Sequence, residues 1–277
     1  MTNSTRPREA IAVPDAAPRV NAPFGRRSAQ ITGREEHGVY VVLRCADHGG
    51  PPPQPGQFYM LSTAERWGGG ESERPFLPRA FSVLRAPEDE LQFLIEDVGP
   101  GTRRLCELGP GDELRLVGPL GNGFRAPRDG RRPLLVGGGV GIAPLAIWQD
   151  HLGGEVPALL GFRDAARAPG AELLTNATVA TDDGSVGHHG LVTDLLAAEL
   201  KAHAGSLEVY TCGPEPMLKA VRRLCAEDGT PAQLALESGM ACGFGACFGC
   251  VVATRQGYLR LCLDGPVIDG ELLGTDE

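Results

Sequence analysis

ESGMACGFGACFGCVVATRQGYLRLCLDGPVID, residues 237–269, carries four cysteines, Cys242, Cys247, Cys250 and Cys262. The first three are spaced Cys-x4-Cys-x2-Cys and the fourth follows twelve positions later. This is the ligand spacing of a [2Fe–2S] cluster. Such a cluster takes four thiolates, two on each iron, from a loop that must wrap closely around the sulfides. Gly243, Gly245 and Gly249 stand between the first three cysteines, where a side chain would obstruct that wrapping. The alternatives are a zinc knuckle, a redox thiol pair and a disulfide framework. Zinc sites present two paired Cys-x2–4-Cys units, and here only Cys247 and Cys250 form such a pair. A disulfide framework belongs to short, cysteine-dense secreted chains, and this chain has 8 cysteines in 277 residues. A [2Fe–2S] cluster moves one electron at a time, so the remainder of the chain is expected to supply or accept electrons.

Upstream of the cysteines, from about residue 130, strands alternate with helices. Strands are expected at Pro157–Phe162 and Leu207–Thr211, and helices at Pro144–Leu152, Thr193–His203 and Pro214–Glu227. In the last helix Met217, Leu218, Val221, Leu224 and Cys225 share one face. Alternation of this kind predicts a parallel sheet with crossover helices, a Rossmann-like nucleotide-binding domain. Further upstream the helices vanish. Val39–Cys45, Gln57–Ser62, Arg79–Leu84, Leu91–Asp97 and Glu113–Val117 read as short strands separated by Gly- and Pro-rich turns, the pattern of an antiparallel β-barrel. The expected organisation is a disordered tail over 1–27, a barrel over 28–128, an α/β domain over 129–229 and a cluster module over 230–277.

Several motifs punctuate this order. Arg79-Ala80-Phe81-Ser82 lies on a barrel strand, where a guanidinium fork suits phosphate oxygens and a hydroxyl can reach a ring edge. An Arg and a Ser on a strand are also ordinary solvated residues. Gly99-Pro100-Gly101-Thr102 opens a helical stretch and can present backbone N–H groups to phosphate, or be a turn with a threonine cap. Gly118–Phe124 (GPLGNGF) closes the barrel. Gly137–Pro144 (GGGVGIAP) stands between a strand and a helix, the place where a pyrophosphate is held; its glycines Gly137, Gly138, Gly139 and Gly141 depart from the G-x-G-x-x-G fingerprint. Cys212, Gly213 and Pro214, at the end of a later strand of the same sheet, would face the same crevice. Cys212 either touches a nicotinamide ring or is a small buried side chain. Cys45, Cys106 and Cys225 read as structural. After the strand ending in GFRD, Arg163 suits a 2′-phosphate and Asp164 a ribose hydroxyl, which leaves NAD and NADP open.

Composition narrows the field. The net charge of -9 argues against nucleic acid or an anionic membrane as the main partner. No apolar run approaches the length of a membrane helix. The first residues lack a secretory h-region, so a reducing, cytoplasmic location is expected.

The order RAFS, GPGT, GPLGNGF, GGGVGIAP, CGPEPM resembles the ferredoxin–NADP reductase superfamily. The ending ESGMACGFGACFGCVV with YLRLCLDGPVID is similar to the electron-transfer subunits of class 1B dihydroorotate dehydrogenases. The resemblance spans about Gln30 to Asp269. It implies FAD held by Arg79, Ala80, Phe81, Ser82, Gly101 and Thr102, with added contacts from Ile95, Glu96 and Asp97. Those at Ile95-Glu96 are expected through backbone, because the family often has Tyr-Arg there. It implies a [2Fe–2S] cluster on Cys242, Cys247, Cys250 and Cys262, and NAD as soluble substrate. It further implies a separate FMN-containing catalytic subunit, in a heterotetramer of two copies of each, serving pyrimidine (UMP) biosynthesis. No acid–base residue of this chain is needed for such a relay. Related subunits serve sulfite reductases, ferredoxin:NADP oxidoreductases and hydrogenases. A zinc-stabilised, non-redox binding protein on the same scaffold is the alternative from a different class.

Overall fold

The computed structural model describes residues 26–68 and 75–274; the tail expected over 1–27 lies almost wholly outside them. Six strands form a closed antiparallel barrel in the order β1-β2-β5-β4-β3-β6. They are β1 (Arg27–His37), β2 (Tyr40–Ala46), β3 (Phe58–Thr63), β4 (Arg79–Arg85), β5 (Glu90–Glu96) and β6 (Glu113–Leu120), with helix α1 (Pro100–Cys106) between the last two. The barrel interior is filled by Ile31, Leu43, Tyr59, Leu61, Val83, Phe93, Ile95, Leu114 and Leu116. Closure removes exposed strand edges and leaves loops at the rim to carry ligand contacts.

A seven-stranded sheet follows, in the order β10-β9-β8-β7-β11-β12-β15. Its strands are β7 (Arg132–Gly138), β8 (Ala158–Phe162), β9 (Ala177–Thr181), β10 (His188–His189), β11 (Leu207–Cys212), β12 (Ala232–Ala235) and β15 (Val267–Asp269). All pairings are parallel except β12 with β15. The chain switches direction around β7, at the centre of the sheet, which is where α/β sheets place ligands. The connecting helices are α2 (Ile142–His151), α3 (Val192–Ala202) and α4 (Glu215–Asp228). Helix α2 is buried from Ile142 through Gln149, because it is wedged between the sheet and barrel strand β4. Its one buried amide, Gln149, is satisfied by Val156 O (2.6 Å), Thr175 O (2.9 Å) and Thr175 N–H (2.9 Å).

Between β12 and β15 the chain leaves the sheet, forms the cysteine loop, a two-stranded hairpin of β13 (Val251–Thr254) and β14 (Gly257–Arg260), and the short helix α5 (Leu261–Asp264). Residues 230–274 therefore contribute two strands to the large sheet as well as the cysteine loop. Leu236 N–H donates to Pro266 O at 2.9 Å, closing the base of this excursion.

Candidate functional site

The strand Arg79–Arg85 pairs with β3, setting Ala80 opposite Met60 and Ser82 opposite Phe58. Arg79 reaches toward the start of α1. A Cβ on Gly101 would meet the guanidinium at 2.8 Å from Nε, so this glycine keeps space open for the arginine. The same guanidinium donates to Leu77 O at 2.6 Å and lies over the Trp67 ring, 5.8 Å from its centroid. Thr102 Oγ1 accepts from the N–H groups of Val98 (2.9 Å) and Gly99 (3.0 Å), which fixes the turn. RAFS and GPGT, separate in sequence, thus meet at one rim of the barrel. Ile95 points into the barrel core and is fully buried. Glu96 and Asp97 spend their carboxylates on Arg167 (2.8 Å) and Arg103 (3.2 Å).

Beside this strand lies a cavity of about 170 Å³ lined by Ala80, Phe81 and Ser82 of the barrel, Val140 and Ala143 at the head of α2, and Leu236, Glu237, Ser238 and Met240. Three stretches far apart in sequence converge there. The Ser238 hydroxyl is buried at this wall with no hydrogen-bond partner among the described residues. An orphaned hydroxyl beside an Arg-Ser strand fits the polar edge of a flavin ring.

A second space, of about 560 Å³, opens at the carboxyl ends of the parallel strands. Its lining includes Gly138, Gly139, Gly141, Arg163, Gly213, Pro214 and, again, Glu237. The glycines divide their work. A Cβ on Gly141 would stand 2.6 Å from the Cys212 carbonyl and the Gly213 Cα. One on Gly138 would meet Met217 Sδ at 2.7 Å, and one on Gly137 would meet Leu145 at 2.9 Å. These three permit strand, loop and helix to pack. Gly139 has φ +54° with nothing within 4 Å of its would-be Cβ, so it alone faces open crevice. We expect Gly141→Ala to lower the thermal midpoint by several degrees, since overpacking against backbone costs about 1–3 kcal/mol. Unfolding followed by circular dichroism checks this, with Gly139→Ala as the milder comparison.

Cys212 does not line the crevice. It is 1% exposed, and burial, reinforced by the neighbouring Glu237, holds its thiol well above the usual range. Its sulfur lies 3.9 Å from Glu237 Oε1. Glu237 is exposed and lines the crevice. Burial raises its pKa, with a smaller opposing pull from the Cys212 thiol. Sequence reading missed both Glu237 and Ser238. The available signal was position: polar residues directly after an apolar parallel strand, at the sheet's carboxyl edge.

The four cysteines lie in one locality: the Cys242 thiol interacts with Cys247, and the Cys262 thiol with Cys250 and, electrostatically, with Cys242. Gly249 N–H approaches Cys247 Sγ at 3.4 Å, and Cys262 N–H approaches Cys250 Sγ at 3.4 Å. Burial opposes ionisation of Cys242, but hydrogen bonds from the backbone of Phe244, Cys247 and Ala246 and from the Cys247 thiol outweigh it and bring the thiol to about 7. Among the described residues no three His, Cys, Asp or Glu side chains converge to hold a single metal ion. Two thiol pairs, one per iron, fit a binuclear cluster better than the tetrahedron of one zinc. Gly243 (φ +79°) leaves 2.5 Å between its would-be Cβ and Met60 Cγ, so the cysteine loop lies directly on the strand beside Ala80. Gly245 (φ +86°) makes the same close approach to Leu263. Cys250 and Cys262 are buried, and Cys247 is exposed. Cys45, Cys225 and Cys106 sit away from these sites, with burial pushing their thiols up to about 12, 12 and 11.

A flavin-type barrel joined to a Rossmann-like sheet, with a four-cysteine loop at the sheet edge, defines a ferredoxin reductase-like iron–sulfur flavoprotein. A solved structure of an NADH-dependent reduced ferredoxin-NADP oxidoreductase superposes with a TM-score of 0.74 at 27% identity, covering 91% of each chain. A ferredoxin NADP+ reductase from Neisseria gonorrhoeae, with FAD and NADP bound, shares the fold at a TM-score of 0.57 and 20% identity, over 74% of this chain and 92% of that one. Residues 237–274 match the model of the iron-sulfur cluster binding domain of dihydroorotate dehydrogenase B. The dihydroorotate dehydrogenase B (NAD(+)) electron transfer subunit of Caldanaerobacter subterraneus is 39% identical over 80% of this chain and 87% of its own length. That of Clostridium acetobutylicum is 36% identical over the same shares. The chain belongs to the family of dihydroorotate dehydrogenase B (NAD(+)) electron transfer subunits.

Proposed function

We propose that this chain carries one FAD and one [2Fe–2S] cluster and relays electrons from the FMN of a dihydroorotate dehydrogenase catalytic subunit to NAD, in pyrimidine biosynthesis. The observation that carries this reading is the convergence of the RAFS strand, the GGGVG turn and the chain leading into Cys242 on one cavity. FAD held there would supply the conversion between hydride exchange with nicotinamide and single-electron exchange with the cluster, which nicotinamide alone does not readily perform. The protein's part is binding and orientation. Arg79, with space secured by Gly101, holds the flavin phosphates; Ser82 and Ser238 face the ring edge. Gly139 and the CGP turn admit the dinucleotide. Glu237, which lines both spaces, stands where nicotinamide and flavin meet. Cys242, Cys247, Cys250 and Cys262 hold the cluster.

The face turned toward the catalytic subunit is the one around Cys247. Phe244, Phe248, Val251 and Tyr258 are exposed apolar side chains on the cysteine loop and its hairpin. The register of β13 with β14 sets Val251 opposite Arg260 and Ala253 opposite Tyr258, all on one face, and the Arg260 guanidinium lies 5.0 Å from the Phe248 ring centroid. Among the described residues no helix is long and apolar enough to cross a membrane. The assembly proposed is a cytoplasmic heterotetramer with two copies of each subunit. The test is reconstitution: the chain mixed with an FMN-containing dihydroorotate dehydrogenase subunit forms NADH from dihydroorotate and NAD. Equal NAD reduction by the partner alone overturns the relay.

Glu237 gives a pH-dependent expectation. Its folded-state pKa is raised above the unfolded value. The native state therefore holds that proton longer, and stability is lost as pH rises through the raised value. Glu237→Gln, neutral throughout, is expected to remove that loss. Urea midpoints of variant and wild type should coincide at acid pH and separate, in the variant's favour, above the carboxylate range.

A further inference from the structure

The peptide unit joining Gly245 to Ala246 has a polar partner at each end. Its N–H, that of Ala246, is one of the backbone donors to the Cys242 thiol. Its carbonyl, Gly245 O, accepts from Arg260 Nη1 at 3.3 Å. The preceding N–H, that of Gly245 itself, donates to the Cys262 thiol. Gly245 is buried, and its φ of +86° belongs to the left-handed region that glycine adopts without strain. One residue of backbone thus reaches two of the four sulfurs and one guanidinium.

Arg260 is held for this contact. Its backbone N–H donates to Asp264 Oδ2 at 2.9 Å, and its Nε lies 4.0 Å from the same oxygen. The Phe248 ring covers the guanidinium, with 5.0 Å between Cζ and the ring centroid. A ring over one face and a carboxylate beside Nε restrict the rotation and hydration of this partly buried side chain. Only two cations stand between Glu237 and Gly265. The other, Arg255, lies in the turn of the hairpin and donates to Leu273 O at 3.1 Å. Arg260 is therefore the cation that the fold directs at the cysteine loop.

We propose that Arg260 is a positioning residue that raises the reduction potential of the cluster, polarising the Gly245–Ala246 peptide so that its N–H bonds the Cys242 sulfur more strongly. Hydrogen bonds in series polarise one another, and a charged donor at the far end strengthens the chain. Reduction adds one negative charge to the cluster and its sulfurs. N–H donors and a nearby cation stabilise that charge, so the potential rises. Asp264 acts with the opposite sign, because its carboxylate offsets part of the guanidinium's field. The inference rests on the cluster reading given above and names the residue that tunes it.

The experiment uses the FAD- and cluster-loaded chain and reads the cluster's midpoint potential by EPR during reductive titration, with iron, sulfide and flavin assays on the same samples. Arg260→Met keeps an unbranched side chain but removes the charge and its donors. At a fixed solution potential it is expected to lower the ratio of reduced to oxidised cluster at least threefold, a fall of about 30 mV for a one-electron couple. Arg260→Lys, which keeps the charge, is expected to recover at least half of that fall. Asp264→Asn, which keeps an oxygen to accept from the Arg260 N–H, is expected to move the potential upward. Loosened packing alone would lower cluster content without this pattern of signs. A cluster-loaded Arg260→Met with the wild-type potential overturns this inference alone. Should that variant hold no cluster, Asp264→Asn decides, and a potential that stays or falls there overturns the inference. A wild-type chain without acid-labile sulfide overturns the cluster reading and this inference together.

Discussion

Cys250→Ser is expected to reduce dihydroorotate-dependent NADH formation to the background of the catalytic subunit alone, while leaving FAD bound. Cys250 is 3% exposed and forms the inner thiol pair with Cys262. In the proposed site, replacing it would remove one of the two thiolates that serve one iron. The flavin cavity is lined by Ala80–Ser82, Val140, Ala143 and 236–238, none of which touches Cys250 in the hydrogen-bond pattern. NADH-to-ferricyanide turnover should therefore persist. Reconstitution with the partner, iron and sulfide assays and the flavin spectrum read the three parts separately. Retained coupling in a cluster-free variant would show that electrons bypass the cysteine loop.

Arg79→Ala is expected to produce the opposite pattern, with flavin lost and cluster kept. The guanidinium is placed by Leu77 O, the Trp67 ring and the space left by Gly101. In the proposed site it would meet the flavin already oriented. Hydrogen bonds to charged groups contribute about 1.5–3 kcal/mol each, or roughly ten- to a hundredfold in affinity for each bond lost. NADH-to-ferricyanide turnover should fall with FAD occupancy and recover in part when excess FAD is added. Reduced-cluster EPR should match wild type. A variant that retains its flavin on gel filtration would remove Arg79 from the binding site.

Most of the architecture was legible because its periodicities are strong. β2 to β6, α2 to α4 and the central parallel strands carry apolar residues at the spacing their surroundings demand, and their expected bounds shift by only a few residues. β1 was not legible as a strand. It buries only Ala29, Ile31 and Gly33 along eleven residues and is otherwise polar, so no alternation of large apolar side chains marks it. β15 is three residues long and is specified by its pairing with β12, a tertiary fact. In the site, the cysteines were legible because ligand spacing is local. Asp164 shows the opposite case: its place after a strand is local, but its carboxylate accepts from Arg167, which also bonds Glu96 71 residues away, and that network is not local. Gly141 and Gly243 read as ligand loops, yet the structure shows what each also protects, namely a close approach to Cys212–Gly213 and to Met60. Contacts of that kind are invisible until the chain is folded.

The clasp between Leu236 and Pro266 has an evolutionary consequence. The stretch from Cys242 to Gly265, beyond the Glu237–Met240 segment that lines the cavity, leaves from and returns to the same sheet edge, so the hosting scaffold would remain continuous if that stretch were exchanged. One-electron wiring is in this sense a cassette set into a two-electron reductase. Lineages could alter what the protein talks to by rewriting the cassette's outer face, while the hydride chemistry behind it stayed untouched.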